Sequence, residues 1–232
     1  MLSQLNNTIK QLLFPNICML CAKDYASSNT NPFCFTCTVN MPYTNHFKTK
    51  PNNATPKFRG RVPCVDVACM LNFYSYSDVK LMLHRLKYKG RKDIGFQLGL
   101  MAGQRAKHSP FYNDIDLIVP IPLHSSKLIK RGYNQAAFIA KGVSERLNAP
   151  VREDVIIKHT NTKSQTKMNR IERVKNVGSS FQLFDKQGIR GRHILLVDDV
   201  LTTGATIEAC ANHLLESRGV KLSVLCMCLA RN

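Results

Sequence analysis

Long apolar runs are missing from this chain. None approaches the ~20 residues that a membrane-crossing helix needs, so no membrane insertion is expected. The start, MLSQLNNTIKQLLFP, has neither the basic leading segment nor the long apolar stretch of a secretory signal, and a cytoplasmic location is the default expectation. Two nucleotide-binding loops are missing as well. A phosphate-gripping hydrolase needs GxxxxGK followed by Ser or Thr, and a dinucleotide fold needs GxGxxG; the chain has neither. Acids are scarce: 15 Asp plus Glu against 33 Lys plus Arg give a net charge of +18. A surplus that large favours an anionic partner without naming it. What remains is 232 residues, 44% hydrophobic and 21% charged, which suits one sizeable core plus a small accessory module.

The basic excess is concentrated in residues 78–108 and 158–192, while 193–232 is slightly acidic. Nine cysteines are many for a cytosolic chain. Four of them form two CxxC pairs, Cys18 with Cys21 and Cys34 with Cys37. Two such knuckles complete a tetrahedral Zn²⁺ shell with no open position, hence a structural metal; a redox dithiol pair is the alternative. A module this small would draw its stability from the metal. Cys226 and Cys228 alternate on an apolar strand as buried thiols. His46 follows the second pair, is not needed as a ligand, and reads as surface.

Residues 1–43 read as a short helix and the zinc module. Residues 44–63, rich in Pro, Asn and Lys, read as a linker or a long irregular excursion. Residues 64–232 form the main domain. Its strands are expected at 65–76, 115–121, 151–157, 193–197 and 220–229. Helices are expected after Ser77, with Val79, Met82, Leu83 and Leu86 inward, and around Ile94 to Ala102. Two more cover 133–148 and 204–218, stopped by Asn148 to Pro150 and by Gly219. Strands alternating with helices imply a doubly wound α/β sheet, mostly parallel.

The most informative segment is ILLVDDVLTTGAT, Ile194 to Thr206. An apolar strand runs into two acids, then a hydroxyl-rich loop with one glycine, then a helix. In an open α/β sheet, ligands bind beyond the carboxyl ends of the strands. The helix start offers N–H groups and a partial positive charge to a phosphate. Thr202, Thr203 and Thr206 add hydroxyls, and Gly204 allows close backbone approach. Carboxylates are acceptors only, so Asp198 and Asp199 suit the vicinal hydroxyls of a sugar.

This segment resembles the signature of the type I phosphoribosyltransferases, which bind phosphoribosyl pyrophosphate. The resemblance implies that Asp198 and Asp199 hold the ribose 2′ and 3′ hydroxyls. It places the 5′-phosphate on Thr202, Thr203, Gly204, Ala205 and Thr206. A wider set of motifs resembles the ComF family: the paired CxxC, LKYKG at Leu86–Gly90, VPIPL at Val119–Leu123, RGYNQ at Arg131–Gln135 and QTKMNRIERVKN at Gln165–Asn176. By that resemblance the loop from Ile121 to His124 holds pyrophosphate, with Lys127, Lys130 and Arg131 as nearby cations. Residues 158–180 would be a hood carrying Lys163, Gln165, Lys167, Arg170 and Arg173 over the phosphates. Mg²⁺ would accompany phosphoribosyl pyrophosphate, and no catalytic base is assigned.

Two functions are therefore expected. One is a phosphoribosyl pyrophosphate-binding competence protein that handles single-stranded DNA with the DNA-uptake machinery. Phe33, Phe35, Tyr43, Phe47 and Phe58 would either stack bases or form the core of the zinc module. The other is an active phosphoribosyltransferase that moves 5-phosphoribose to a nitrogenous acceptor and releases pyrophosphate.

Overall fold

A computed structural model describes residues 17–25, 31–74, 77–158 and 181–231. The centre is a four-stranded, all-parallel sheet in the order β1 (Cys64–Phe73), β6 (Lys221–Ala230), β5 (His193–Leu201), β2 (Leu117–Pro120). The two central strands are apolar on both faces, as parallel strands covered by helices must be. From Leu222 to Leu229, β6 is continuously buried.

One face is covered by α2 (Asp78–Tyr88), α3 (Lys92–Lys107) and α5 (Gln135–Leu147). Their Met82, Leu86, Leu98, Ile139 and Val143 pack on Leu195, Val197, Leu225 and Met227. The other face takes α6 (Ala205–Leu214), through Ile207, Cys210 and Leu214, against Leu196, Val224 and Cys226. The helical periods expected from the sequence thus fall on the observed core, and the fold is the doubly wound α/β one. A short antiparallel pair, β3 (Ile156–Lys158) and β4 (Phe181–Leu183), stands beside the sheet.

Residues 17–25 and 31–63 are continuous with these two cores. Cys18, Met19, Leu20, Phe33 and Phe47 join the first cluster, and Ala54, Phe58 and Val62 join the second. Of the five aromatics near the cysteines, Phe33, Phe47 and Phe58 are therefore core. Phe35, on α1 (Phe35–Val39), is 84% exposed. The 44–63 stretch is irregular apart from one 3-10 turn at Thr55–Lys57, yet it does carry apolar anchors. His46, expected at the surface, is 1% exposed. Its Nδ1 accepts the Cys69 N–H at 3.1 Å, and burial together with the Arg231 charge lowers its pKa to about 4, so the ring stays neutral. This bond could not be read from the sequence, because its partner is a backbone group 23 residues away.

Helices α3 and α5 touch through glycines. A Cβ on Gly99 would lie 2.1 Å from the Ile139 carbonyl oxygen, and one on Gly142 would lie 2.1 Å from that of Phe96. Backbone cannot yield as a flexible side chain does, so the helices would have to part. Gly142→Ala should cost about 1–3 kcal/mol or more. Urea unfolding measures this, and a midpoint equal to wild type would contradict the close seam.

Candidate functional site

β5 delivers both acids. The sequence placed its end at Val197, but the strand runs on to Leu201, since Asp198 still pairs with Cys226 and Val200 with Cys228 on β6. Asp198 and Asp199 therefore stand on rigid sheet at the carboxyl end of the strands. They open on a cavity of ≈ 180 Å³, shared with Thr206 at the start of α6. The opposite wall is Ile121, Pro122, Leu123 and His124 after β2, then Lys127 and Arg131 on α4 (Ser125–Arg131). Lys87 from α2, Lys158 from β3, and Asn134, Gln135 and Ala136 around the start of α5 also line the cavity.

Four cations and two acids thus share one small cavity. Lys87 Nζ lies 3.0 Å from Asp199 Oδ2. Asp198 accepts the Asp199 N–H at 2.8 Å. Burial pushes the Asp198 carboxyl up to about 7 and the Asp199 charge adds to the shift, against the pull of that N–H, Lys87 and Lys158. Burial also lowers the Lys158 ammonium, helped by the neighbouring Lys127 charge.

The loop beside the acids is built for close approach. Gly204 has φ +82°, a conformation that L side chains rarely adopt, and caps α6. Thr202, Thr203 and Ala205 are exposed on the loop, Gly204 is buried beneath it, and Thr206 alone of the five lines the cavity.

The wall on the α4 side is locked by two short motifs that meet. Tyr133 donates its hydroxyl to the Leu86 carbonyl. Asn134 caps α5 by accepting the Ala136 N–H at 3.1 Å and donates to the Ile121 carbonyl at 3.0 Å. Arg131 donates to Gln135 Oε1 at 2.7 Å, and its guanidinium lies 5.3 Å from the Tyr88 ring centre. The end of α2, the loop after β2 and the start of α5 are thereby tied into one rim.

A second cluster lies in the N-terminal part of the chain. The Sγ atoms of Cys18, Cys21, Cys34 and Cys37 all fall within 4.8 Å of one another. A tetrahedral ion with Zn–S bonds of about 2.3 Å needs sulfurs about 3.8 Å apart, and the Cys21–Cys34 separation is 4.0 Å. Backbone N–H groups of Cys34 and Cys37 already point at the sulfurs of Cys18 and Cys34, at 3.3 and 3.4 Å. Burial pushes the Cys18 thiol up, but N–H groups of Cys21, Cys34 and Leu20 outweigh it and bring it to about 7. The donor set fits Zn²⁺. Among the described residues no other cluster of this kind occurs, and no helix is long and apolar enough to cross a membrane.

The chain is similar to several known proteins. Residues 133–232 match the family model described as phosphoribosyl transferase domain. A Salmonella typhimurium protein named DNA utilization protein YhgH is 26% identical over 230 residues, which cover 94% of this chain and 98% of that one. Competence protein ComFC of Bacillus subtilis is 33% identical over 163 residues, 68% of this chain and 62% of that one. The chain belongs to the ComF family. Competence protein F of Haemophilus influenzae is 28% identical over 147 residues, 62% of this chain and 64% of its own. Matches to several curated relatives, an Escherichia coli protein named YhgH among them, span about two thirds of their length. A solved glutamine phosphoribosylpyrophosphate amidotransferase from Bacillus subtilis overlaps 61% of this chain and 30% of its own, with 17% identity and a TM-score of 0.40.

Against this ComF architecture, the sequence-derived residues sort clearly. Asp198, Asp199, Thr206, Lys127, Arg131 and the loop Ile121 to His124 share the cavity, whereas Lys130 is exposed on α4 and does not line it. Lys163, Gln165, Lys167, Arg170 and Arg173 lie outside the described residues. Lys87 and Lys158 were missed. Lys87 sits inside the LKYKG motif, which was its signal; Lys158 opens the 158–180 stretch read as the hood but was not singled out within it.

Two outcomes test the site. Asp198 holds its proton more tightly when folded than the ordinary carboxylate near 3.9, so wild-type stability should fall as pH rises from about 4 to about 7. The stability difference between Asp198→Asn and wild type should therefore move in the variant's favour across that window, read as urea midpoints. A difference that does not change with pH would contradict the buried acid. Metal analysis of protein purified without chelator should give one zinc per chain, and none would reject the four-thiolate site.

Proposed function

We propose that this ComF protein binds phosphoribosyl pyrophosphate in the cavity at the end of β5 and serves DNA uptake by handling single-stranded DNA in the cytoplasm. One observation carries the first half: two adjacent acids, four cations and Thr206 at the start of α6 line one small cavity. Few other ligands need both ends. A vicinal diol suits Asp198 and Asp199, a 5-phosphate suits the Thr202–Thr206 loop, and a pyrophosphate suits Lys127 and Arg131. Lys87 and Lys158 add charge to the same wall. Mg²⁺ bound with the donor would neutralise part of the pyrophosphate charge. Relatives named for competence and DNA utilization, together with the +18 balance, support the second half.

The match to a transferase domain favours a second reading, in which the donor is consumed. The C1–O bond to pyrophosphate would break and a C1–N bond to a nitrogenous acceptor would form, through an oxocarbenium-like state. This chain's residues would fix the ribose at Asp198 and Asp199 and hold the leaving pyrophosphate with fixed cations.

Calorimetric titration with phosphoribosyl pyrophosphate and Mg²⁺ decides the cavity. Wild type should bind and Asp199→Asn should lose at least tenfold in affinity; absence of heat from wild type would reject the assignment. Single-stranded DNA binding should weaken steeply with salt and survive Asp198→Asn. An acceptor panel scored for pyrophosphate release separates a binder from a transferase.

A further inference from the structure

The stretch between the cysteine module and β1 backs directly onto the phosphate loop. Phe58 is 2% exposed, and its ring atoms Cε1 and Cζ lie 3.1 and 3.2 Å from where a Cβ on Gly204 would stand. Three residues on, the Arg61 guanidinium reaches three groups. Its Nη1 donates to the Lys57 carbonyl at 3.0 Å and to the Thr203 carbonyl at 3.2 Å. Its Nη2 pairs with Glu208 Oε2 in the first turn of α6. Glu208 in turn donates its backbone N–H to the Gly204 carbonyl at 2.8 Å. The Thr203 carbonyl is thus held by Arg61 and the Gly204 carbonyl by the first turn of α6.

A trans peptide carries its C=O and N–H on opposite sides. With the Thr203 oxygen turned to Arg61, the Gly204 N–H is turned away from it. An anion is held by loop N–H groups, and a carbonyl presented in their place repels it. A plane that ends in glycine is also the easiest to flip, because both of its conformations are open to a residue without a Cβ. Something must therefore hold the Thr203–Gly204 plane in the anion-binding sense before a ligand arrives.

We propose that Arg61 is the positioning residue of the 5′-phosphate loop, fixing the Thr203–Gly204 peptide from behind while Phe58 supports Gly204. The role rests on the reading of the cavity as a phosphoribosyl pyrophosphate site. Arg61 serves the loop from a segment that the sequence marks only as an irregular excursion. Its side chain is 39% exposed, and exposed ion pairs contribute little to stability, so its removal should separate binding from folding.

The test is titration calorimetry of wild type, Arg61→Met, Arg61→Lys and Glu208→Gln with phosphoribosyl pyrophosphate and Mg²⁺ and, separately, with inorganic pyrophosphate and Mg²⁺. Urea midpoints are measured alongside. Arg61→Met should lower phosphoribosyl pyrophosphate affinity about tenfold or more, the scale of one charge-assisted hydrogen bond. Its pyrophosphate affinity and urea midpoint should stay near wild type. Glu208→Gln, which keeps the Arg61–Thr203 bond, should bind like wild type. Lysine cannot reproduce the fork, so Arg61→Lys should restore only part of the loss. Equal losses for both ligands, full rescue by lysine, or no loss in Arg61→Met would each overturn the proposal. Wild type failing to bind would instead sink the cavity reading. The plane is then read in the unliganded protein from the backbone amide resonance of Gly204, which should shift in Arg61→Met and stay in place in Glu208→Gln; the reverse overturns the positioning role.

Discussion

Two carboxyl groups on adjacent residues at the end of a buried strand set the terms for everything around them. Adjacent acids repel, and the low-dielectric sheet beneath Asp198 makes its charge costly. The molecule answers by holding Lys87 on Asp199, by setting Lys158 near Asp198, and by letting the Asp198 carboxyl rise to about 7. The rim is subordinate to that arrangement. Tyr133 fastens the end of α2, which carries Lys87, and Asn134 fastens the loop after β2, which faces the acids. LKYKG and RGYNQ are far apart in the chain yet describe one physical object, the rim of the cavity that Asp198 and Asp199 line.

Much of the fold was legible because it follows from periodicity. Val79, Met82, Leu83 and Leu86 repeat at helical spacing and are buried as that spacing demands. The unbroken apolar run of β6 marked a strand covered on both faces. The Asp-Asp-loop-helix segment was legible as a candidate site because an apolar strand followed by acids, a glycine loop and a helix puts those acids at the carboxyl end of the sheet. What escaped was whatever depends on contacts between distant segments. The glycines of α3 and α5 look like weak helix formers until the helices are seen to touch at Ile139 and Phe96. Lys158 looks like one more basic residue until β3 carries it to the cavity. His46 looks like surface until Cys69 offers its N–H.

The stretch 44–63 shows why composition misleads at such places. Pro, Asn and Lys are frequent there, as in a linker, yet a few residues determine what it does. Phe47 packs in the first core with its ring centre 6.0 Å from that of Tyr112, Phe58 beneath Gly204, and Val62 on the α6 side of the sheet. Asn52 donates to the Val67 carbonyl at 2.8 Å and so ties the stretch to β1. An irregular backbone is stable here because its polar groups find partners on fixed structure. The cysteine module is joined to the same body from the other side, since Arg85 on α2 donates to the Met19 carbonyl at 2.5 Å.

That last bond gives the metal site a bearing on the cavity. Arg85 is two residues before Lys87 on α2, so the helix turn that meets the first knuckle also carries the cation on Asp199. A closed thiolate shell is rigid, and it would fix the two CxxC pairs more tightly than the packing of Cys18, Met19 and Phe33 on the first core does alone. With the knuckle fixed, the last turn of α2 is held at Arg85 by Met19 and at Leu86 by Tyr133, in the two residues just before Lys87. Structural zinc would then act on the cavity without touching it, by narrowing the range of positions open to one ammonium group.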